Sequence, residues 1–288
     1  MMTEGRARNR EMRFMQREPA VGKVVFLGTG TSHGVPVIGC ECAVCRSNDP
    51  HDQRYRCAIA VGLPEGTLLI DAPPELRLAL LRERIPVVHA VALTHTHVDH
   101  LFGADDLRVM PKRLQAPLPI YCRRRDQDDI RRIFSYAFDP AIHGLSDAAP
   151  LAFEFHDVNP NDPAPIRILG ASVTPIPMIH HLHDAVGYRI GDLAYCTDLI
   201  RFADAAHERL VGVRTLIIDA LRRNPHPCHM TTDQAIATAR ELGVERVWLT
   251  HLSHDRSHAE LERTLPPEVR PAYDGLRIAW NDNTSHVT

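Results

Sequence analysis

The sequence lacks several features that would place it in a specialised class of protein. No stretch approaches the roughly 18 consecutive apolar residues of a membrane-spanning helix, so no span is expected. The net charge is −3, so the chain has no overall positive field of the kind that attracts nucleic acid. Residues 1–20 are partly basic and contain no apolar core, which predicts a disordered lead-in rather than a signal peptide.

The sequence also lacks the even number of cysteines that a set of disulfide bonds would require. The chain has seven cysteines, an odd number, and three of them crowd together as Cys40, Cys42 and Cys45. An exported chain of this size would more plausibly carry paired cysteines spread along its length. This usage therefore favours the reducing cytoplasm. The sequence is instead rich in histidine, with 18 residues that are strongly clustered.

Short apolar runs, many of them β-branched and bounded by Gly, Pro or Asp, predict a chain built largely from strands. They lie at residues 23–28, 57–63, 66–72, 90–95, 118–122, 152–158, 166–178, 185–190, 193–198, 214–221, 246–252 and 275–280. Helical patterns lie between some of them, at residues 73–85, 97–110, 126–138 and 231–243. Strand clusters with interspersed helices, in two rough halves, predict stacked sheets covered by helices.

The last helical segment and the middle of the chain carry the clearest boundary signals. Thr231 and Gln234 form a capping-box pattern, and Gly243 marks the end of the same helix. Residues 139–150 and 159–165 are rich in Pro and Asp and predict a surface loop between the two halves.

A cluster of histidine and aspartate follows the apolar run at residues 90–94. His95, His97, Asp99 and His100 form the pattern H-x-H-x-D-H. Two histidines two positions apart in an extended segment point the same way and can share one ion. Asp99 and His100 fall where the chain turns into a helix and can face a neighbouring ion. A lone histidine is more often structural, but this set predicts a metal site for Zn, Mn or Fe.

This pattern resembles the signature of the metallo-β-lactamase superfamily, and supporting features extend over residues 23–280. The resemblance implies an αββα sandwich with two mixed β-sheets flanked by helices, forming a single domain over residues 21–288. It also implies a dinuclear metal site at one sheet edge, with Asp71 organising the ligands from behind. One ion would be held by His95, His97 and His180, the other by Asp99, His100 and His251, and Asp198 would bridge the two.

Two positions in this ligand set need a choice. His180 and His181 are adjacent, and His180 is preferred because it follows the strand directly. His183 would then be a loop residue that faces solvent or substrate. Cys196 precedes the bridging position by two residues, and it is expected in the core because Asp198 is available as the bridge.

A bridging carboxylate indicates the chemistry. It holds two cations about 3.5–4 Å apart, which suits in-line attack at phosphorus. A hydroxide between the ions is expected as the nucleophile, since the ions lower the pKa of its parent water towards neutrality. Asp99 is predicted to be a catalytic residue as well as a metal ligand.

The cysteine triplet predicts a second kind of metal site. The pattern C-x-C-x-x-C at Cys40, Cys42 and Cys45 matches tetrahedral zinc with one ligand missing, which Cys57 or a distant histidine could supply. Residues 27–45 and 249–255 resemble the phosphoribosyl 1,2-cyclic phosphate phosphodiesterases of the phosphonate pathway. That resemblance implies His254 as the fourth ligand of a structural zinc, which would fix one wall of the active site.

The same resemblance implies a histidine just before a helix that faces the substrate. The spacing to the helix points to His229, with His226 as the alternative. His229 could protonate the leaving oxygen or stabilise phosphate charge. His33 lies in a glycine-rich turn and is a weaker candidate for a pocket residue. That turn lacks the pattern of a Walker loop.

These features predict a metal-dependent phosphodiesterase that acts on a small phosphodiester, with a cyclic ribose phosphodiester as one candidate. An RNA-processing nuclease of the tRNase Z type is the first alternative, but nucleic acid is an improbable partner without a basic arm. A thioesterase or lactamase is the second alternative. The third is a non-catalytic protein resembling pyrroloquinoline quinone biosynthesis protein B, which departs from the full motif. The natural substrate, the metal and the oligomeric state, including a homodimer, stay open.

Overall fold

Two β-sheets face each other in the structure, a computed structural model that describes residues 19–139, 152–181 and 183–281. The first sheet has the strand order β15-β1-β2-β3-β4-β5-β6, and the second has β11-β8-β9-β10-β12-β13-β14, with β7 paired to β8. The strands of the first sheet are β1 (Lys23–Gly28), β2 (Ala58–Leu63), β3 (Gly66–Ile70), β4 (Ala90–Ala92), β5 (Leu118–Cys122), β6 (Phe153–Asp157) and β15 (Arg277–Ala279). Those of the second are β7 (Ile166–Ile168), β8 (Ala171–His180), β9 (His183–Ile190), β10 (Leu193–Cys196), β11 (Arg201–Phe202), β12 (Thr215–Asp219), β13 (Arg246–Thr250) and β14 (Val269–Pro271).

Helices cover the outer faces of both sheets. The α-helices are α1 (Leu76–Glu83), α2 (Val98–Leu101), α3 (Met110–Leu114), α4 (Arg124–Ile133), α5 (Ala206–Leu210), α6 (Thr232–Glu241) and α7 (His258–Thr264). Short 3₁₀ segments lie at Pro50–Asp52, Phe102–Val109 and Ser135–Phe138. The described helices include none that is long and apolar enough to cross a membrane.

Successive side chains of a strand point to opposite faces of the sheet, so each strand contributes to two layers of the core. On β1, Val24 and Phe26 pack between the two sheets, whereas Val25 and Leu27 pack under the helices of the first sheet. All four side chains are fully buried. Because both faces of the sheet are covered, the strand is a continuous apolar run rather than an alternating one. The arrangement confirms the predicted αββα sandwich with two mixed sheets.

The strand directions bring distant polar residues to one edge. β3 runs parallel to β4, and Ile70 lies beside Ala92. In the other sheet β10, β12 and β13 are parallel, and Asp219 lies beside Thr250. The carboxyl ends of parallel strands meet at the same edge of a sheet, which is where α/β folds place their ligands. The residues that follow these strands are therefore neighbours in space.

Several predicted elements differ from the structure in their bounds. The run at 166–178 splits into two strands because Leu169 and Gly170 turn with positive φ values of 45° and 77°. The helix predicted over 97–110 becomes α2 followed by a 3₁₀ segment. Helix α1 begins only at Leu76, after a turn that contains the two prolines. The short elements α3, α5, α7, β11 and β14 and the 3₁₀ segment at Pro50–Asp52 were not predicted.

Other boundary predictions are confirmed. The capping box at Thr231 and Gln234 is complete, with both hydrogen bonds formed. Gly243 has a φ of +67° just beyond α6. The residues 159–165 connect β6 in one sheet with β7 in the other, as expected of a loop between halves. Residues 1–18 of the predicted disordered lead-in lie outside the described residues, as do residues 140–150 of the predicted loop.

We expect Gly103→Ala to destabilise the chain by about 1–3 kcal/mol, the range for a core that is overpacked. A Cβ at Gly103 would lie 1.9 Å from the carbonyl oxygen of Pro73, so the 3₁₀ segment would be pushed off the turn before α1. Urea unfolding measures the effect. Val109→Ala, on the exposed side of the same segment, is the matched control. A more stable Gly103→Ala, as helix propensity alone would give, contradicts the packing described.

Candidate metal centre

Histidines and carboxylates from four strand ends meet at one edge of the sandwich. His95 follows β4, while His97 caps α2 and Asp99 and His100 lie within it. The remaining members come from later in the chain, where His180 ends β8, Asp198 follows β10 and His251 follows β13. Two groups of side chains result, each with its ligand atoms within 4.8 Å of one another: His95, His97 and His180; and Asp99, His100, Asp198 and His251.

The first group consists of three imidazoles. The ring of His95 lies 4.4 Å from that of His97 and 5.3 Å from that of His180, and the rings of His97 and His180 are 5.1 Å apart. His180 donates through Nδ1 to the carbonyl of Cys228 at 2.9 Å, so its Nε2 is left as a lone-pair donor. The adjacent His181 is exposed. The structure thus brings His180, and not His181, into the group.

The second group is a buried mixture of acids and imidazoles. Nε2 of His100 lies 3.1 Å from an oxygen of Asp198 and 3.3 Å from Asp99. Nε2 of His251 lies 3.4 Å from the other oxygen of Asp198. Asp198 therefore uses both oxygens, one towards each histidine. Separations near 3.4 Å are what ligands about 2.1 Å from a shared tetrahedral ion would show.

Asp71 fixes the orientation of two of these imidazoles. It is fully buried and accepts a 2.8 Å hydrogen bond from Nδ1 of His100. It also accepts from the hydroxyl of Thr94, which in turn accepts from Nδ1 of His95 at 3.0 Å. Nε2 of His95 and Nε2 of His100 are buried, and neither has a hydrogen-bond partner in the described structure. Both nitrogens are therefore turned into the site as free ligands, as Asp71 was expected to arrange.

The charges of the site favour a bound cation. Burial lowers the pKa of His95 well below its usual value, and nearby His100 adds to this, so the ring is a neutral imidazole able to bind metal. Burial would raise the pKa of Asp198, yet His251 and His100 hold it well below its usual range. The carboxylate is thus charged and buried. The donor set fits divalent Zn, Mn or Fe.

Backbone strain concentrates at the same place. Asp71, Asp198 and His251 have positive φ values of 66°, 60° and 57°, in the left-handed region that residues other than glycine rarely occupy. Each directly follows, or lies close behind, the end of a buried strand. Such conformations cost of order 1–3 kcal/mol each and persist when surrounding contacts enforce them. One such contact is the hydrogen bond from the N–H of His251 to Sγ of Cys57, at 3.2 Å.

A histidine–aspartate pair lies beside both groups. His229 donates through Nδ1 to Asp219 at 2.8 Å. Its ring stacks on His251 at 4.6 Å and meets His180 edge-on at 4.8 Å. His226 lies farther out, its ring 5.0 Å from that of His229, and its Nδ1 accepts from the N–H of Cys228. Of the two candidates, His229 is the one in contact with the ligand residues.

Asp219 is the functional residue that the sequence analysis missed. It is fully buried at the end of β12, and it also accepts from the N–H of Leu199 at 3.2 Å. Its second oxygen lies 3.7 Å from Nδ1 of His251. Its position in the sequence could have indicated a role, because Asp219 follows a buried apolar run, as Asp71 does.

The cysteine triplet meets its histidine 209 or more residues away. Nδ1 of His254 lies 3.4, 3.3 and 3.4 Å from the sulfur atoms of Cys40, Cys42 and Cys45. A tetrahedral zinc, with Zn–S about 2.3 Å and Zn–N about 2.1 Å, sets sulfur–nitrogen separations of about 3.6 Å. Three nearly equal separations close to that value fit a shared ion. Cys57 lies apart, against Thr250 and His251, and does not join the triplet.

The thiols of the triplet differ in acidity. The N–H of Cys45 and the imidazole of His254 lower the pKa of Cys42 to about 6. Burial raises the pKa of Cys45 to about 11. Cys42 is therefore a thiolate at neutral pH, whereas a metal ion would have to displace the proton of Cys45.

Three further residues singled out in the sequence have simpler positions. Cys196 is fully buried in the core under the helices of the second sheet. His33 is exposed in its turn, and a substrate role for it stays a prediction. His183 was predicted to lie in a loop, but it is the first residue of β9 and pairs with His180. Its side chain lies outside the described residues.

Comparison with known proteins supports the fold and shows the family of the chain. Residues 67–252 match the family model described as beta-lactamase superfamily domain. A crystal structure described as a new diphosphatase from the PhnP family is 37% identical, with a TM-score of 0.82, and the match covers 90% of this chain and 98% of that one. Zn²⁺-bound PqqB from Methylobacterium extorquens shares the fold, with 20% identity, a TM-score of 0.68 and coverage of 90% and 100%.

One curated relative is much longer than this chain. An octanoyltransferase from Porphyromonas gingivalis is 37% identical over 257 residues, which are 88% of this chain and 51% of the relative. The chain thus spans about half the length of that protein. The resemblances inferred from the sequence are confirmed by these comparisons.

We expect Cys57→Val to lower the free energy of unfolding by about 1–3 kcal/mol, the cost of a buried donor left without a partner. Valine fills the space of the thiol but cannot accept from the N–H of His251. Cys57→Ser, which keeps an acceptor at that position, is the matched variant and should lose less. Urea unfolding at saturating Zn²⁺ compares the three proteins. Equal stability of Cys57→Val and the parent would show that this hydrogen bond does not hold the strained backbone.

Proposed function

We propose, on the premise that the chain belongs to the beta-lactamase superfamily and to the PhnP family within it, that it hydrolyses small phosphodiesters with two divalent cations. Family membership, together with the histidine and aspartate groups, makes the chain a metal-dependent hydrolase. The number of cations and the class of substrate are the proposed part. The support for both comes from the geometry around Asp198.

The observation that carries the proposal is the position of Asp198 between the two groups. Its ligand atoms lie within 4.8 Å of those of Asp99, His100 and His251 in the second group, and also within 4.8 Å of that of His180 in the first. A carboxylate shared in this way suits a bridge between neighbouring cations. His95, His97 and His180 would hold one ion, and Asp99, His100 and His251 the other.

The bound ions would supply Lewis acidity and a water molecule of lowered pKa, which is the chemistry that two-ion sites bring to phosphate esters. The chain's own residues prepare the site. Asp71 fixes His95 and His100 with their Nε2 atoms inward. Asp99 and Asp198 supply negative charge in a buried setting, so cation binding is favoured over that of neutral ligands.

His229 is proposed to move the proton to the leaving oxygen. Its Nδ1–H donates to the buried Asp219, so Nε2 is the atom left to exchange a proton. The carboxylate would also stabilise the imidazolium form, as a general acid requires. Contact of its ring with His180 and His251 keeps it beside both groups.

The cysteine triplet with His254 is proposed to hold a structural zinc. Three thiolates and one imidazole complete a tetrahedral set, which leaves no open position for substrate. The ion would join the loop after β1 to the turn after β13 and so support His251 from outside the active site.

A second candidate reaction is hydrolysis of a phosphoric anhydride, because the 37% identical neighbour is described as a diphosphatase. The same arrangement of cations would serve both reactions, since each proceeds by attack at phosphorus. Octanoyl transfer is not proposed, because the match covers only 51% of the relative of that name. RNA cleavage is disfavoured by the net charge of −3.

We expect Asp198→Asn to abolish hydrolysis of bis(p-nitrophenyl) phosphate while the fold is retained. An amide bridges two cations poorly, so at least one should be lost. Steady-state rates with added Zn²⁺ or Mn²⁺, over a panel with ribose 1,2-cyclic phosphate, 2′,3′-cyclic nucleotides, a diphosphate and an acyl thioester, give the comparison. Asp192→Asn, at an aspartate equally buried but bonded to Asn281, is the control. Metal-independent turnover, or activity on the thioester alone, would refute the proposal.

We expect His229→Ala to lower kcat for the hydrolysis of substrates with poor leaving groups by about 10²–10⁴-fold, which is the contribution of general acid catalysis. Bis(p-nitrophenyl) phosphate should be slowed far less, because nitrophenolate leaves without a proton. The kcat ratio between this ester and a cyclic ribose phosphodiester measures the difference. His226→Ala is the matched control. Equal losses on both substrates would assign His229 to binding rather than to proton transfer.

A further inference from the structure

A buried arginine contacts the turn that carries His254. Arg54 has 1% of its surface exposed, and its guanidinium makes three contacts. It donates to the carbonyl oxygens of Ser253 and Arg256, the second at 3.2 Å, and to the carboxylate of Asp52 at 3.2 Å. The two carbonyls lie on either side of His254. The guanidinium therefore holds both ends of the turn that presents this histidine.

The backbone of Arg54 is attached to the other side of the cysteine centre. Its N–H donates to Val35 at 2.7 Å, and its carbonyl accepts from Val35 at 2.9 Å. Val35 lies in the loop that leads to Cys40, and at Gly30 the start of this loop also pairs with Leu252. One residue thus joins the cysteine loop through its backbone and the histidine turn through its side chain.

The contacts of Asp52 extend the same arrangement. Asp52 is buried, and Oδ1 accepts from Arg54 and also, at 2.7 Å, from the N–H of His258 at the start of α7. A buried ion pair seldom adds much stability, since both charges lose their hydration. Here, however, the guanidinium uses its fork to satisfy two carbonyls at a fixed spacing, which a lysine could not do.

We propose that Arg54 is a positioning residue that sets the turn at 251–256 before any metal binds. It would direct His254 towards the three thiols and, through the same turn, support His251 at the active site. The inference rests on the proposed zinc site of Cys40, Cys42, Cys45 and His254. It adds that the fourth ligand is oriented by the protein and not by the ion.

Cobalt binding tests this, because Co²⁺ held by thiolates gives a charge-transfer absorption that the histidine and aspartate site lacks. The chain, first stripped of metal, is titrated with Co²⁺ as the parent protein, as Arg54→Met and as Arg54→Lys. We expect Arg54→Met to weaken thiolate-bound cobalt about ten- to a hundredfold, the usual effect of losing a contact behind a ligand. Arg54→Lys should recover only part of this.

Arg209→Met is the matched control. Arg209 is also a buried arginine that donates to two backbone carbonyls, those of Pro160 and Pro175, but it lies under the second sheet. Its loss should lower the free energy of unfolding without changing the cobalt titration. If Arg209→Met weakened cobalt binding as much as Arg54→Met does, the loss would be due to general destabilisation, and the inference would be wrong.

The remaining outcomes separate this inference from the proposed function. If the parent shows no thiolate–cobalt absorption, the proposed zinc site itself is wrong. If the parent binds and Arg54→Met binds equally well with the same spectrum, only the positioning role is wrong. If Arg54→Met fails to fold, Arg54→Lys is judged by the same criterion, and unchanged cobalt affinity in it overturns the role.

Discussion

Buried negative charge at the edge of the sandwich is the constraint on which the rest of the site depends. Asp198 is fully desolvated, and Asp99 nearly so, within a pocket of imidazoles. A buried carboxylate is costly unless positive charge or hydrogen bonds compensate it. The four strand ends, the left-handed backbone at Asp198 and His251, and the orientation of His95 and His100 by Asp71 all place donors around that charge. The proposed divalent cations would satisfy these groups together.

The sequence predicted the parts of the site that lie in short patterns. His95, His97, Asp99 and His100 are recognisable because the chain places them within six positions behind a buried strand. The layers were predictable for a related reason, since apolar runs bounded by turn residues determine which segments form strands. The bounds of an element could not be predicted where they depend on a close tertiary contact. Gly103, which lies against Pro73, is in the region where the predicted helix becomes a 3₁₀ segment.

Residues that act through distant backbone atoms could not be predicted in this way. Arg54 is 199 positions from the carbonyl that it binds, and Cys57 is 194 positions from the N–H of His251. Asp219 acts through His229, and nothing in its local sequence separates it from an ordinary strand-terminal aspartate. These residues connect the two centres, because the turn after β13 carries His251 for one and His254 for the other. The histidine and aspartate groups and the cysteine triplet with His254 therefore share one structural support.

Counting metal ions per chain tests the central claim most directly. Elemental analysis and native mass spectrometry of the protein, before and after mild chelation, distinguish the two centres. The account predicts two exchangeable divalent cations at the histidine and aspartate groups and one retained zinc at Cys40, Cys42, Cys45 and His254. A protein that binds metal only at the cysteines, or a single cation at the groups that share Asp198, would contradict it.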